Sequence, residues 1–381
     1  MTISQFLSEN KKLLLLIYMV FMFMLFFYGR IDPRLEIYDS WDFHKYLLMA
    51  ESSPGISSDI PQPFAFRILG PYLAGLLPFE LNTGFYLLSL LASAVLIFVF
   101  FFFLCSLKID RKSSAIAVLF FILNKYFFGY SIWNYYQLND ILSLIFILLL
   151  LMFLLKESWL RFAIVLIIGV LARETAIIMI PVSLIYILER RLVKSSLLKW
   201  LAAVLPGLVV FIILRLLIEP AGGQNLWEAF LTYSAKLGSP GPWMGMTVIC
   251  TIPLSLVPLI YLGDTIAFFR RRIHLLVFII LVFISTLFGI NNERLMAPVF
   301  VVFYTIIALF IKSRITGKLW LLYILFACAL VSTFDDWSGV YVLPSRNVMI
   351  TMGLISLTIA TIATIANKLT SGRSKKYLPE F

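Results

Sequence analysis

The chain has 381 residues, of which 61% are hydrophobic and 13% charged, and a formal net charge of +11. A soluble domain carries roughly 25% charge, so no water-soluble core accommodates this composition. Cys105, Cys250 and Cys328 all lie inside apolar runs, which gives no support to a disulfide framework or a zinc site and makes them packing residues.

A helix crossing the hydrocarbon needs about 20 mostly apolar residues, and cytoplasmic loops collect lysine and arginine. Together these signals predict an all-α, polytopic membrane domain over 1–381. Spans fall near 13–29, 84–106, 114–127, 139–155, 200–218, 246–263, 273–290, 295–311, 318–333 and 347–366. The stretch 160–188 is too long for one ordinary span and is interrupted by Leu171-Ala172-Arg173-Glu174-Thr175. Basic residues flank both of its ends, Lys156 and Arg161 before it and Arg190 and Arg191 after it, so it reads as two short helices meeting in a turn near the outer surface. The total is about 12 spans. The first span lacks a small-residue cleavage pattern after Tyr28-Gly29-Arg30 and reads as a retained anchor.

With both termini cytoplasmic, 21 of the 31 basic residues fall inside against 6 acidic ones, a net of +15. The outer remainder holds 10 basic and 14 acidic residues, a net of −4. The positive charge is therefore a topology signal and not a nucleic-acid footprint. The segment 367–381 is a short basic cytoplasmic tail.

The longest hydrophilic segment is the first outer loop, about 30–83. Within it, Tyr38-Asp39-Ser40-Trp41-Asp42-Phe43-His44-Lys45-Tyr46-Leu47-Leu48-Met49-Ala50 places Phe43, Tyr46, Leu47 and Ala50 on one helical face, the pattern of a short helix lying in the membrane interface. Asp42 sits at its first turn, where a carboxylate also serves as an ordinary N-cap. Two prolines then stiffen Pro61-Gln62-Pro63-Phe64-Ala65-Phe66-Arg67 ahead of a second short helix. Four other polar points face the same side: Arg173-Glu174, Glu228 with Lys236, Asn291-Asn292-Glu293-Arg294, and Asp335-Asp336 with Arg346. Ionisable residues at membrane depth line cavities or pair with one another, so Arg173, Glu174, Glu293 and Arg294 take a functional reading, against the bland one of an ion pair inside each dipeptide. Arg215 is expected to snorkel to the interface. His44 is a lone imidazole and a weak metal signal, and His274, at a cytoplasmic end, is incidental. Trp133, Tyr135, Tyr136 and Trp243 suit either sugar stacking or an interfacial aromatic belt, with the belt preferred.

Asp42-Phe43-His44-Lys45-Tyr46-Leu47-Leu48-Met49-Ala50 has the spacing Asp-x-x-x-Tyr-x-x-x-Ala, and the loop resembles that of GT-C superfold membrane glycosyltransferases, which use a polyprenyl-phosphate-linked sugar as donor. The polar turn over 169–175 and the run Phe66-Arg67-Ile68-Leu69-Gly70-Pro71 are similar to features of bacterial members of uncertain substrate. The resemblance implies transfer of a sugar to a glycan, lipid or other acceptor on the outer face of the bacterial inner membrane. It makes Asp42 the general base, with Asp39 the alternative. Arg67, Arg173 and Arg294 would bind the donor phosphate, because a guanidinium fork contacts two phosphate oxygens at once. Glu174, His44, Tyr46, Glu293 and Arg346 would support them. No clear Asp-x-Asp or Glu-x-Asp pair stands in the chain, so a divalent metal finds no support there, and no other cofactor is indicated. The competing readings are an O-antigen or capsule polymerase, whose largest outer loop usually comes late in the chain, and a lipid-linked glycan flippase or transporter, which would show inverted repeats.

Overall fold

The computed structural model describes residues 3–35, 41–57, 59–190, 194–223, 226–315, 318–333 and 346–370, and these are helical without a strand. Asp39, Asp335, Asp336 and the tail beyond Thr370 lie outside the described residues, as does the side chain of Arg346.

The segment between the first two long helices holds two short helices and a 3-10 turn among its described residues. After α1 (Ile3–Tyr28) the chain turns at Gly29, whose φ of 62° suits glycine, and runs through α2 (Phe43–Glu51), a 3-10 turn at Phe64–Phe66 and α3 (Leu69–Gly75) into the long α4 (Leu81–Ser106). The predicted apolar face of α2 is present, with Phe43, Tyr46 and Ala50 buried together with Met49, and Leu47 half-buried. It rests on protein, however, and not on lipid. The Phe43 ring stacks on Tyr136 at 4.8 Å, and the helix packs against α3 and α4. Leu48, on the other side, is exposed.

Two expected spans are broken, each for a local reason. The span 114–127 stops with α5 (Arg111–Ile122), because the Asn124 side-chain oxygen accepts from the Tyr126 and Phe127 amides at 3.0 and 2.7 Å while its amide donates to the Cys250 carbonyl at 2.9 Å. An asparagine that satisfies backbone groups in this way starts a new segment instead of continuing the old one. The chain bends there by 67° into 125–133, which ends in α6 (Tyr130–Trp133).

The centre follows the expected plan. α7 (Leu138–Leu155) is a largely enclosed helix, packed on α4 and on α8 (Trp159–Ala172). The chain then breaks at Arg173, which is extended, and returns through a 3-10 turn at Glu174–Ile178 and α9 (Met179–Glu189). This is the predicted pair of short helices with a polar turn. α10 (Lys194–Leu217) packs along α8.

The second broken span is 246–263. After α11 (Leu226–Ser234) it is divided among α12 (Pro240–Thr247), α13 (Val257–Ile260) and α14 (Leu262–Arg270). Pro253 and Pro258 each lack the amide hydrogen that a continuous helix requires. α15 (Ile273–Ser285) leaves α14 at a bend of 103°. The short α16 (Asn292–Leu295) leads into α17 (Phe300–Phe310), followed by α18 (Leu319–Val331) and α19 (Arg346–Thr370). Six helices among the described residues are long and apolar enough to cross a membrane, or eight if each of the two bent pairs is one span, and α8 and α18 are shorter apolar helices. About 12 crossings were expected; the difference lies in these breaks and in the shortness of α8, α9 and α18. The chain is an integral membrane protein of the polytopic helical class.

An aromatic cluster ties α4, α5 and α17 together, with Phe121 on Phe300 at 4.7 Å and Phe100 on Phe300 at 5.0 Å. The cysteines are free, Cys250 and Cys328 buried and Cys105 half-buried. Polar contacts gather at two separate ends of the bundle. At one end, the Ile31 amide donates to the Trp133 carbonyl at 2.8 Å and the Gly70 amide to Asn139 Oδ1 at 2.9 Å. At the other, Lys312 Nζ donates to the Lys108 carbonyl at 3.1 Å and Arg314 Nη2 to Asp264 at 2.7 Å. The second end holds the basic segments that the charge count assigned to one side of the membrane.

Candidate functional site

The site is centred on Asp140, in the first turn of α7, where a carboxylate faces the positive end of the helix dipole. Asp140 is 5% exposed and meets two arginines. Arg173 Nη1 donates to its Oδ1, and Arg294 Nε stands 3.6 Å from its Oδ2. The extended break after α8 delivers the first arginine, and the Asn291-capped turn of α16 delivers the second: Asn291 Oδ1 accepts from the Arg294 amide at 3.1 Å. Arg294 also lies over the Tyr130 ring at 5.3 Å and donates to its hydroxyl at 3.4 Å.

Beside this triad, Arg67 forms a two-pronged pair with Glu174, through Nε to Oε2 at 3.0 Å and through Nη2 to Oε1. Its third nitrogen donates to the Tyr46 hydroxyl at 3.4 Å. Asn139 holds the segment in place, donating to the Arg67 carbonyl at 2.8 Å and accepting from the Gly70 amide. Gly70 has no room for a side chain: a Cβ there would lie 2.6 Å from Asn139 Oδ1. Ser143 and Thr175 share a hydrogen bond of 2.9 Å that joins α7 to the turn.

The three arginines named from the sequence are thus brought together, but not with the partners that sequence adjacency suggests. Arg173 pairs with Asp140 and not with Glu174, and Glu174 pairs with Arg67. Arg294 faces Asp140, while the carboxylate of Glu293 lies against Gly245 of α12. Three guanidiniums face two carboxylates, which leaves one positive charge in excess.

Asp42 begins α2 without a side-chain capping bond, so the ordinary N-cap role is unfilled. Its carboxylate accepts from Lys45 Nζ at 3.2 Å, remains 37% exposed, and lies close enough to Arg294 to interact with it electrostatically. Tyr46, fully buried, stands between this helix and the arginines. His44 packs on Phe43 at 4.0 Å, and its Nε2 makes no hydrogen bond among the described residues. The Lys236 ammonium clamps the neighbouring loop, donating to the Thr286 and Gly289 carbonyls at 2.6 and 2.7 Å and to Asn292. Burial, partly offset by Glu293, holds it below the ordinary lysine pKa. Arg215 stacks on Phe211 at 3.6 Å and on Phe66 at 4.7 Å.

The aromatic residues require a correction. Trp133, Tyr135 and Tyr136 are buried under α2 and cannot form a lipid-facing belt; Trp133 meets Trp41 at 5.7 Å, and Tyr136 donates to Asn82. Trp243 is exposed, with its indole nitrogen donating to the Leu237 carbonyl at 2.9 Å. The residue that sequence reasoning passed over is Asp140, absorbed into a span because its neighbours are apolar. A carboxylate inside such a run was itself the signal. Among the described residues no three His, Cys, Asp or Glu side chains converge as metal ligands do.

Chemically, the cluster offers buried cations in slight excess over their counterions, with a more accessible carboxylate at the edge. No curated protein and no solved structure matches the chain. The model of the EpsG family matches residues 71–337, more than two thirds of the chain, and so includes Tyr130, Asp140, Arg173, Glu174 and Arg294 while leaving Asp42, Tyr46 and Arg67 upstream. The chain therefore belongs to the EpsG family, and is a membrane glycosyltransferase-like protein of polysaccharide biosynthesis.

Proposed function

We propose that the chain transfers a glycosyl group from a polyprenyl-phosphate-linked donor to a hydroxyl of a glycan or lipid acceptor, with polymer extension as the form that family membership favours over transport. The carrying observation is the convergence of Arg67, Arg173 and Arg294 around Asp140 and Glu174, next to Asp42. In this reading Asp42 takes the proton of the acceptor hydroxyl, whose oxygen attacks the anomeric carbon. The bond from that carbon to the donor phosphate breaks, and the electron pair leaves with the phosphate. Asp42 suits the role because it is the accessible carboxylate, whereas Asp140 is enclosed by arginines. Arg294 suits the leaving phosphate because its ion pair is the longest of the three and its Nε lacks a hydrogen-bond partner among the described residues. Arg67 and Arg173, already held by carboxylates, complete the positive surface. The charge segregation supports an extracytoplasmic site in the bacterial inner membrane with cytoplasmic termini, and the fold of short helices after α1 supports the GT-C resemblance.

The test uses purified Asp42→Asn, its folding verified by thermal unfolding, in an assay of sugar transfer from the lipid-linked donor. Loss of a general base lowers turnover about 100-fold or more. Wild-type turnover removes Asp42 from the mechanism. Mass spectrometry of surface glycans and lipid-linked intermediates, with and without the protein, tests the class of reaction, and an unchanged profile refutes it.

A further inference from the structure

A concave region lies at the other end of the bundle, a cavity of about 630 Å³. Its mouth collects the residues that follow four helices: Lys108 after α4, Lys156 after α7, Arg190 after α9, and the Arg270-Arg271-Arg272 run that joins α14 to α15. Lys156 is 16 residues beyond Asp140 along α7, about 24 Å at the rise of an α-helix. The acid among the lining residues is Glu189, and it is already engaged, accepting from the Ile273 amide at 3.0 Å and bonded to His274 Nδ1 at 2.6 Å. Among the described lining residues, six cations stand against one carboxylate, which gives the concavity a positive balance.

Placement of basic residues on one side of a membrane needs only that they sit in the loops on that side. It does not require them to ring a cavity. Nor does it explain the interior, which is apolar: Leu151 and Leu155 of α7 and Val301 and Val302 of α17 form its inner wall. Among the lining residues, His274 Nε2 is buried with no hydrogen-bond partner among the described residues. The volume lies within the usual range of ligand pockets, roughly 300–1,000 Å³. A cationic mouth over an apolar wall matches an amphiphile with a phosphate at one end and hydrocarbon at the other. A water-soluble phosphate would leave the apolar wall unused, while the membrane around the helices supplies lipid directly.

We propose that this cavity binds an anionic membrane phospholipid, its phosphate held by the Lys108, Lys156, Arg190 and 270–272 cations and the start of its chain laid along Leu151, Leu155 and Val302. The site is independent of the transfer reading and stands if that reading fails. It gives the protein a means of sensing the lipid composition of the leaflet opposite to its arginine cluster.

The experiment places the full chain in nanodiscs of phosphatidylcholine with phosphatidylglycerol as the probe and measures retained phosphatidylglycerol by native mass spectrometry. Two variants attack the site by different means. R190Q/R271Q removes phosphate donors, and Ser106→Trp plugs the mouth from an exposed position. Each is expected to lower retention about tenfold or more, R190Q/R271Q because the loss of even one charge-assisted contact is worth that much and Ser106→Trp because it blocks entry, while inorganic pyrophosphate leaves the wild-type signal intact. Equal retention in the wild type and both variants overturns the proposal, and displacement by pyrophosphate reassigns the cavity to a soluble phosphate compound and overturns it as well. A photoreactive phosphatidylglycerol on the wild-type protein gives a readout free of any folding effect: labelling of 268–275 or 301–305 supports the site, and labelling confined to other segments refutes it.

Discussion

Asp140→Asn removes one negative charge and leaves the shape of the side chain almost unchanged, so it isolates the electrostatic role of the residue from packing. In the folded chain Asp140 and Arg173 are both less than a tenth exposed, and Arg294 Nε is 3.6 Å from the second carboxylate oxygen. At an effective dielectric constant of about 20, one such pair at that distance is worth on the order of 5 kcal/mol before desolvation is counted. Stripping one partner from a buried pair costs about 3–5 kcal/mol, because the cation left behind stays buried without its counterion. Asp140→Asn leaves two such cations and belongs at the upper end of that range. Arg173→Met costs less, since Arg294 still faces Asp140. The double variant removes the pair together and should be less destabilised than the sum of the two singles by at least about 2 kcal/mol. Reversible unfolding of the four proteins in one detergent measures all the terms. Additive losses, or an Asp140→Asn protein as stable as the wild type, would refute the view that Asp140 organises the arginines.

Gly70→Ala places a methyl against Asn139, displaces the side chain that holds the Arg67 carbonyl, and should cost about 1–3 kcal/mol with a parallel loss of transfer; an active, stable variant would show that the Asn139 contact does not position Arg67. Lys236→Met removes the donor to Thr286, Gly289 and Asn292 and should release the 226–247 segment, at a cost of about 1–3 kcal/mol. Limited proteolysis reads this as faster cleavage there, and an unchanged pattern counts against the clamp.

Most of the architecture was legible in the sequence because the solvent imposes it. A lipid environment demands long apolar helices and sorts cations to one side, and α1, α4, α7, α10 and α17 follow the expected spans closely. The polar break at Arg173 was readable for the same reason, since charged residues interrupt an apolar run only where the chain turns or pairs them. The breaks at Asn124 and around Pro253 and Pro258 were written in the residues too, but an average over an apolar window hides a single cap or a missing amide.

The partners were not legible. Arg173 and Glu174 are neighbours in sequence, yet the extended backbone at Arg173 sends their side chains to different partners, one to Asp140 and the other to Arg67, 107 residues before Glu174. Nor does the amphipathic face of α2 reveal what it covers, because lipid and a layer of aromatic side chains are equally apolar. Composition and charge determined that the chain is a membrane protein, where its long helices fall, and that Arg67, Arg173 and Arg294 share one end. Only the packing of α7, α8 and α16 decided that Asp140 would be their common counterion, because ion pairing between distant segments depends on where the tertiary fold brings each side chain.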